Sequence, residues 1–302
     1  MPLIGVNLAY TDRAWTESVW KQLAIIKPEV AVVTSFIDVD ELARFVSTYP
    51  TCEIVVRPRT GPQNQPWPSD ILDYRSWPSE RSLRECLVWL AAAGARHRLV
   101  LGNEPRLEWA APWPGDAENR RAARDYSRWY LAERSKIIAE YPHVKIAPAP
   151  HDQGDDNATA LWLDVMDSFG CYTAKNADFL ADHCYYASKA VDDPSWGGRW
   201  RVLRRRYPHL GPIWNLETND CGDYGDGADP IRWSALRAYA MSTRAANPAD
   251  LACVALFTLA GAPDDEAKPG WWFLSDRMLQ AAADARSQPV TVEPPLIEEE
   301  EP

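Results

Sequence analysis

No stretch of this sequence is apolar for long enough to cross a bilayer, and Met1-Pro2-Leu3-Ile4-Gly5-Val6 puts no charged segment ahead of a long apolar run. A soluble, unprocessed chain is the expectation, cytoplasmic unless it is exported by another route. The six cysteines, at positions 52, 86, 171, 184, 221 and 253, show no CxxC spacing and no dense framework, so reduced thiols are expected. Also missing are a GxGxxG after the first strand, where the chain reads Gly5-Val6-Asn7-Leu8-Ala9-Tyr10, an HExxH anywhere, and a GxSxG. Those absences argue against a dinucleotide fold, a zinc hydrolase and a serine hydrolase, and no cofactor or metal is implied. Positive charge is scarce as well. A formal net charge of -11 opposes binding to nucleic acid or to an anionic membrane, and a neutral partner fits better. The one basic run, Arg199 to Arg206, has Trp and aliphatic residues between its arginines and reads as the solvated face of a helix.

What is present is apolar bulk: 46% hydrophobic residues, with 15 Trp and 12 Tyr in 302 residues, enough for a large core. Short β-branched runs alternate with helical periods, the signature of a parallel sheet covered by helices. Eight such units can be counted. Strands are expected at 3–8, 30–34, 53–57, 98–101, 145–149, 179–183, 212–216 and 252–256, each followed by one helix. Returns from helix to strand are brief, as in Lys27-Pro28-Glu29, whereas 58–79, 105–117 and 257–276 are long and rich in Trp, Gly and Pro. The pattern predicts a single (β/α)8 barrel over residues 1–286, with an acidic, Pro-containing and disordered tail over 287–302. Its functional face lies at the carboxyl ends of the strands, where the long loops converge.

Two carboxylates stand at corresponding places there: Glu104 after strand 4, in Leu101-Gly102-Asn103-Glu104-Pro105, and Glu217 after strand 7, in Ile213-Trp214-Asn215-Leu216-Glu217. Cleavage of a glycosidic bond needs such a pair, one protonated to assist the leaving oxygen and one ionised to attack the anomeric carbon. Asn103 can hydrogen-bond the sugar 2-hydroxyl, and Tyr185, just past strand 6, can hold the nucleophile in place.

These motifs resemble the clan A glycoside hydrolases, which include the cellulase, mannanase and β-xylosidase type families, and the resemblance covers most of the chain. In that clan an Asn-Glu pair, often Asn-Glu-Pro, closes strand 4 and carries the acid/base, and a Glu closing strand 7 is the nucleophile. The resemblance assigns those roles to Glu104 and Glu217. It also matches His183-Cys184-Tyr185 to the clan's His-x-Tyr at the end of strand 6, and it offers Trp271 and Trp272 as an aromatic platform after strand 8. One departure stands out. The clan commonly has an Arg at the end of strand 2, where this chain reads Val32-Val33-Thr34-Ser35-Phe36; Arg57 and Arg59, after strand 3, are the substitutes on offer.

Further substrate contacts are expected from Asn7 beyond strand 1, His151 and Asp152 beyond strand 5, and Asn219 and Asp220 beyond Glu217. Trp15, Trp20, Trp89 and Trp129 lie on helical stretches and read as packing residues, whereas Trp67, Trp77, Trp109, Trp113 and Trp196 fall in loops where sugar stacking competes with burial. The acidic segments 151–156 and 220–229 lack EF-hand spacing and read as solvated loops. The sequence thus points to a retaining hydrolase of β-linked oligo- or polysaccharide working without a cofactor. Two alternatives stand beside it: a carbohydrate-binding barrel without turnover, and a Schiff-base lyase. The lyase is disfavoured because the only lysine within a strand, Lys145, sits at its N-terminal end.

Overall fold

The computed structural model describes residues 1–8, 15–35, 37–58, 60, 66–76, 78, 80–109, 115–152, 156–186, 193–218, 230–257, 274 and 276–296. Strands and helices alternate as β1 (Leu3–Asn7), α1 (Glu17–Ile26), β2 (Val30–Thr34), α2 (Val39–Thr48), β3 (Glu53–Arg57), α3 (Leu83–Ala92), β4 (His97–Leu101), α4 (Pro105–Glu108), α5 (Asp116–Glu140), β5 (Lys145–Pro148), α6 (Asp156–Ser168), β6 (Leu180–His183), α7 (Arg199–Arg206), β7 (Ile213–Thr218), α8 (Pro230–Ala245), β8 (Leu251–Leu256) and α9 (Asp276–Ser287). The strands form one parallel sheet in the order β5-β4-β3-β2-β1-β8-β7-β6. Its two edges meet across a seam bridged by Asp178, whose N–H donates to Ile146 O and whose carboxylate accepts from Ile146 N, both at 2.9 Å. The sheet is a nearly closed barrel flanked by helices, as the eight-unit alternation predicts.

Because both faces of the sheet are covered, the strands read as apolar runs, and the period of two sorts them into two cores. Val30, Val32, Val55, Val100, Ala147, Phe179, Ala181, Trp214, Leu216, Cys253 and Ala255 fill the barrel interior. Their neighbours Ala31, Val33, Ile54, Leu99 and Leu101 face the helices in the outer core. The floor of the barrel is polar but paired: Arg98 donates to Glu53 at 2.7 Å and lies 4.3 Å over the Trp214 ring. With Glu53 and Val55 inward on β3, the same period turns Arg57 inward at the top.

The element absent from the sequence reading is α4, one helical turn inside what reads as a loop. Pro105 supplies a fixed φ at its first position, where no N–H is needed. The arginines of α7 lie on a partly solvated face, with Arg205 and Arg206 exposed, and several of them are paired. Arg204 donates to Asp250 at 3.0 Å, Arg206 to Asp164 and Asp167 at 2.7 Å each, and Arg199 is buried. Beyond α9 the chain stays on the barrel: Glu293 N donates to Ala245 O at 2.6 Å and Leu296 N to Asp250 Oδ2 at 2.8 Å. Cys52, Cys86, Cys171, Cys184 and Cys253 are free and buried. No helix among the described residues is long and apolar enough to cross a membrane.

Candidate active site

Strict alternation along β7 would send Glu217 away from the pore, because Trp214 and Leu216 already point inward. A β-bulge changes that. On β6 the partners step from Asp182↔Asn215 to His183↔Glu217, and on β8 from Val254↔Asn215 to Leu256↔Thr218, so β7 carries one extra residue. The extra residue lets Leu216 cap the interior core while Glu217 turns into the mouth, an example of a bulge re-aiming a side chain beside a site. Asn215 then faces outward, accepting from Cys184 N and donating to Tyr239 OH, which pins the bulge from behind.

Four neighbours hold the Glu217 carboxylate. Arg57 Nη1 donates to Oε1 at 2.6 Å, Asn7 Nδ2 to the same oxygen at 3.2 Å, and Tyr185 OH to Oε2 at 2.7 Å, while His183 Nδ1 lies 3.6 Å from Oε2. Burial alone would raise this group's proton affinity. The His183 and Arg57 charges and the hydrogen bonds from Tyr185 and Arg57 outweigh burial, so the carboxyl is held below its ordinary range and stays ionised. Breaking a buried ion pair of this kind by removing one partner costs about 3–5 kcal/mol. Arg57 pairs in register with Thr34, so the guanidinium reaches the carboxylate from β3 and not from the end of β2.

Glu104 ends the turn that leaves β4, and its backbone is left-handed, φ 35°. The reason is local. A residue before proline is disfavoured in the right-handed helical region, and the chain must pass from strand to helix within three residues. Such a conformation costs roughly 1–3 kcal/mol and persists where the surroundings over-determine it. Glu104 Oε1 lies 2.7 Å from His183 Nδ1. His183 is fully buried, which lowers its proton affinity, but the Glu217 and Glu104 carboxylates outweigh burial and raise it. One oxygen of each carboxylate and the imidazole nitrogen all lie within 4.8 Å of one another. Those three atoms could ligate a metal, but Arg57 and Tyr185 already occupy both oxygens of Glu217 and oppose a cation. The arrangement suits proton transfer better.

Gly102 makes the turn possible. Its φ is +101°, and a Cβ there would lie 2.0 Å from the Trp67 ring. Gly102→Ala is expected to lower stability by about 1–3 kcal/mol, read as a reduced urea midpoint. An unchanged midpoint would show that the Trp67 contact is soft.

Asn7, Arg57, Asn103, Glu104, His183, Tyr185 and Glu217 therefore meet at one point. His151 does not. It is buried with Nε2 2.9 Å from the Tyr172 hydroxyl, and burial depresses its pKa to about 3. Asp152 is turned onto Arg106, accepting from Nε at 2.9 and 3.1 Å. Trp109 is half-buried and packs its ring edge-on against buried Trp67, centroids 5.5 Å apart, within a cluster that includes Tyr126 and Trp129. Arg59, Trp77, Trp113, Asn219, Asp220, Trp271 and Trp272 lie outside the described residues. One site residue escaped the sequence reading: Glu108 Oε1 accepts from Asn103 Nδ2 at 2.7 Å. Its signal was the i to i+4 spacing from Glu104, legible only if 105–108 is taken as helix.

No protein-family model and no curated protein matches the sequence. Solved structures do match. A GH128 curdlan-specific exo-β-1,3-glucanase from Blastomyces gilchristii, in complex with glucose, is 17% identical, covering 94% of this chain and 96% of that one at a TM-score of 0.52. A GH128 endo-β-1,3-glucanase from Amycolatopsis mediterranei, in complex with laminaritriose, is 15% identical over 94% and 100% of the two chains, TM-score 0.55. A fungal β-1,4-galactanase is 12% identical over 92% and 98%, TM-score 0.60. The chain shares the barrel fold of all three.

Proposed function

We propose that the protein is a retaining glycoside hydrolase acting on β-linked oligo- or polysaccharide, with Glu217 as nucleophile and Glu104 as acid/base. The observation that carries this reading is the carboxyl pair, with oxygens within 4.8 Å of each other across the barrel mouth. Retaining enzymes place their two carboxyls about 5–5.5 Å apart, whereas inverting ones leave about 6.5–9.5 Å for a water. The barrel likeness to β-glucanases and a galactanase is consistent with the same chemistry.

In the first step a Glu217 oxygen bonds to the anomeric carbon as the glycosidic C–O bond breaks, and the leaving oxygen takes a proton from Glu104. In the second, water gives its proton to Glu104 as its oxygen displaces Glu217 from the anomeric carbon. The surroundings split the two roles. His183, Arg57 and Tyr185 keep Glu217 charged, Asn7 helps to aim it, and Glu104 lies against the His183 imidazole. Asn103 is positioned by Arg57 to meet the sugar 2-hydroxyl, a contact that strengthens toward the oxocarbenium-like transition state.

The test is the anomeric outcome. A panel of aryl β-glycosides and β-linked polysaccharides is offered to the wild type, and the first-formed product of any that is cleaved is read by proton NMR. A β-configured product is expected, and an α-configured one would mean inversion and end the nucleophile assignment. Binding of an oligosaccharide without hydrolysis would favour a carbohydrate-binding barrel.

A further inference from the structure

A third carboxyl faces the catalytic pair and takes no part in the two steps above. Glu108 lies one turn of α4 beyond Glu104, its N–H donating to Glu104 O at 2.9 Å. Its Oε1 accepts from Asn103 Nδ2 at 2.7 Å and its Oε2 from the Thr60 hydroxyl at 3.4 Å. The other end of the same amide, Asn103 Oδ1, accepts from Arg57 Nη1, the atom that also donates to Glu217. The amide is bracketed by a cation on its oxygen and a carboxyl on its nitrogen. Turned end over end, it would set Nδ2 against the guanidinium and Oδ1 against the carboxylate, exchanging two charge-assisted hydrogen bonds for two repulsions.

We infer that Glu108 is a positioning residue, locking the Asn103 carboxamide in one of its two orientations and so setting which end of it is offered to the bound sugar. The inference rests on the glycosidase reading for its sugar, but not for the bracket itself. Its ionisation matters to the lock. Burial pushes the Glu108 carboxyl up to about 7; the Asn103 hydrogen bond and the Arg57 charge from β3 pull it down, and Glu104 after β4 and Glu217 on β7 push it up. The lock is complete above that pH. Below it a neutral Glu108 can present an O–H to Oδ1, and the flipped amide is no longer repelled.

The test compares wild type, Glu108→Gln and Glu108→Ala on an aryl β-glycoside and on its 2-deoxy counterpart, with thermal unfolding as the check on folding. Expected is a loss of kcat/KM of about 10- to 100-fold for Glu108→Ala on the 2-hydroxy substrate, the scale of one charge-assisted hydrogen bond, and little on the 2-deoxy one. Glu108→Gln, able to accept but uncharged, should lose less. Equal losses on both substrates would overturn the inference, since general distortion of the site does not depend on one hydroxyl. A second readout needs no turnover: the side-chain amide signal of Asn103 in a nitrogen-15 spectrum, assigned by its loss in Asn103→Asp. It is expected to titrate with a midpoint about 7 in the wild type and to lose that step in Glu108→Gln. An amide that does not move overturns the lock. An amide that titrates in a protein that hydrolyses nothing supports the lock and overturns the glycosidase reading.

Discussion

Glu217→Gln is expected to cut turnover of any aryl β-glycoside the wild type cleaves by about 10⁴-fold or more, the scale seen when the group that forms the covalent bond is removed. The amide keeps the shape of the carboxyl; its oxygen can still accept from Arg57 and its NH2 can donate to the Tyr185 hydroxyl oxygen, so the site need not collapse. What it lacks is the charge that attacks the anomeric carbon. The fall should appear in kcat for good and poor leaving groups alike, because no leaving group removes the need for a nucleophile. A variant retaining a tenth of wild-type activity would move the nucleophile elsewhere. A pH signature accompanies the loss. The Glu217 carboxyl is held below its ordinary range in the folded protein, so its contribution to stability is present above that range and is lost as pH falls through the folded value. Thermal unfolding of the wild type should therefore steepen on the acid side, and Glu217→Gln should lack that part of the slope.

That Glu217 can be singled out at all depends on two different kinds of signal. The barrel was legible because parallel strands buried on both faces must be largely apolar, and the runs at 30–34 and 54–56 can scarcely be anything else once flanked by helical periods. Site positions at the ends of those strands follow from topology, which is why Asn7, Arg57, Asn103, His183 and Tyr185 fall together around the two carboxylates. Local conformations were not legible. The extra residue in β7 is invisible in Ile213-Trp214-Asn215-Leu216-Glu217, since a bulge leaves no mark in an alternation only six residues long. Glu108 was hidden for a related reason: a helix of four residues has no period to detect, so its carboxyl read as part of a loop. His151 is a different case. Its place after β5 was legible, but its buried contact with the Tyr172 hydroxyl, 21 residues away, leaves no mark in the sequence.

The second large effect separates the acid/base from the nucleophile. In Glu104→Ala the first chemical step loses its proton donor, and the loss, about 10²- to 10⁴-fold, should be confined to substrates whose leaving group needs protonation. A dinitrophenyl glycoside needs none, so Glu217 should still be glycosylated at a useful rate. The second step then stalls, because no base remains to deprotonate water, and the covalent intermediate should accumulate as a burst of dinitrophenol. Azide needs no base and is small enough for the space the carboxyl vacates. It should raise turnover of this substrate at least tenfold and leave a β-glycosyl azide, since it attacks from the face opposite Glu217. The same azide should do nothing for a methyl glycoside, where the first step limits. No rescue beside an intact burst would place the acid/base on another residue while leaving Glu217 as the nucleophile, whereas an α-glycosyl azide would mean that no Glu217 adduct intervenes and that Glu104 is itself the nucleophile.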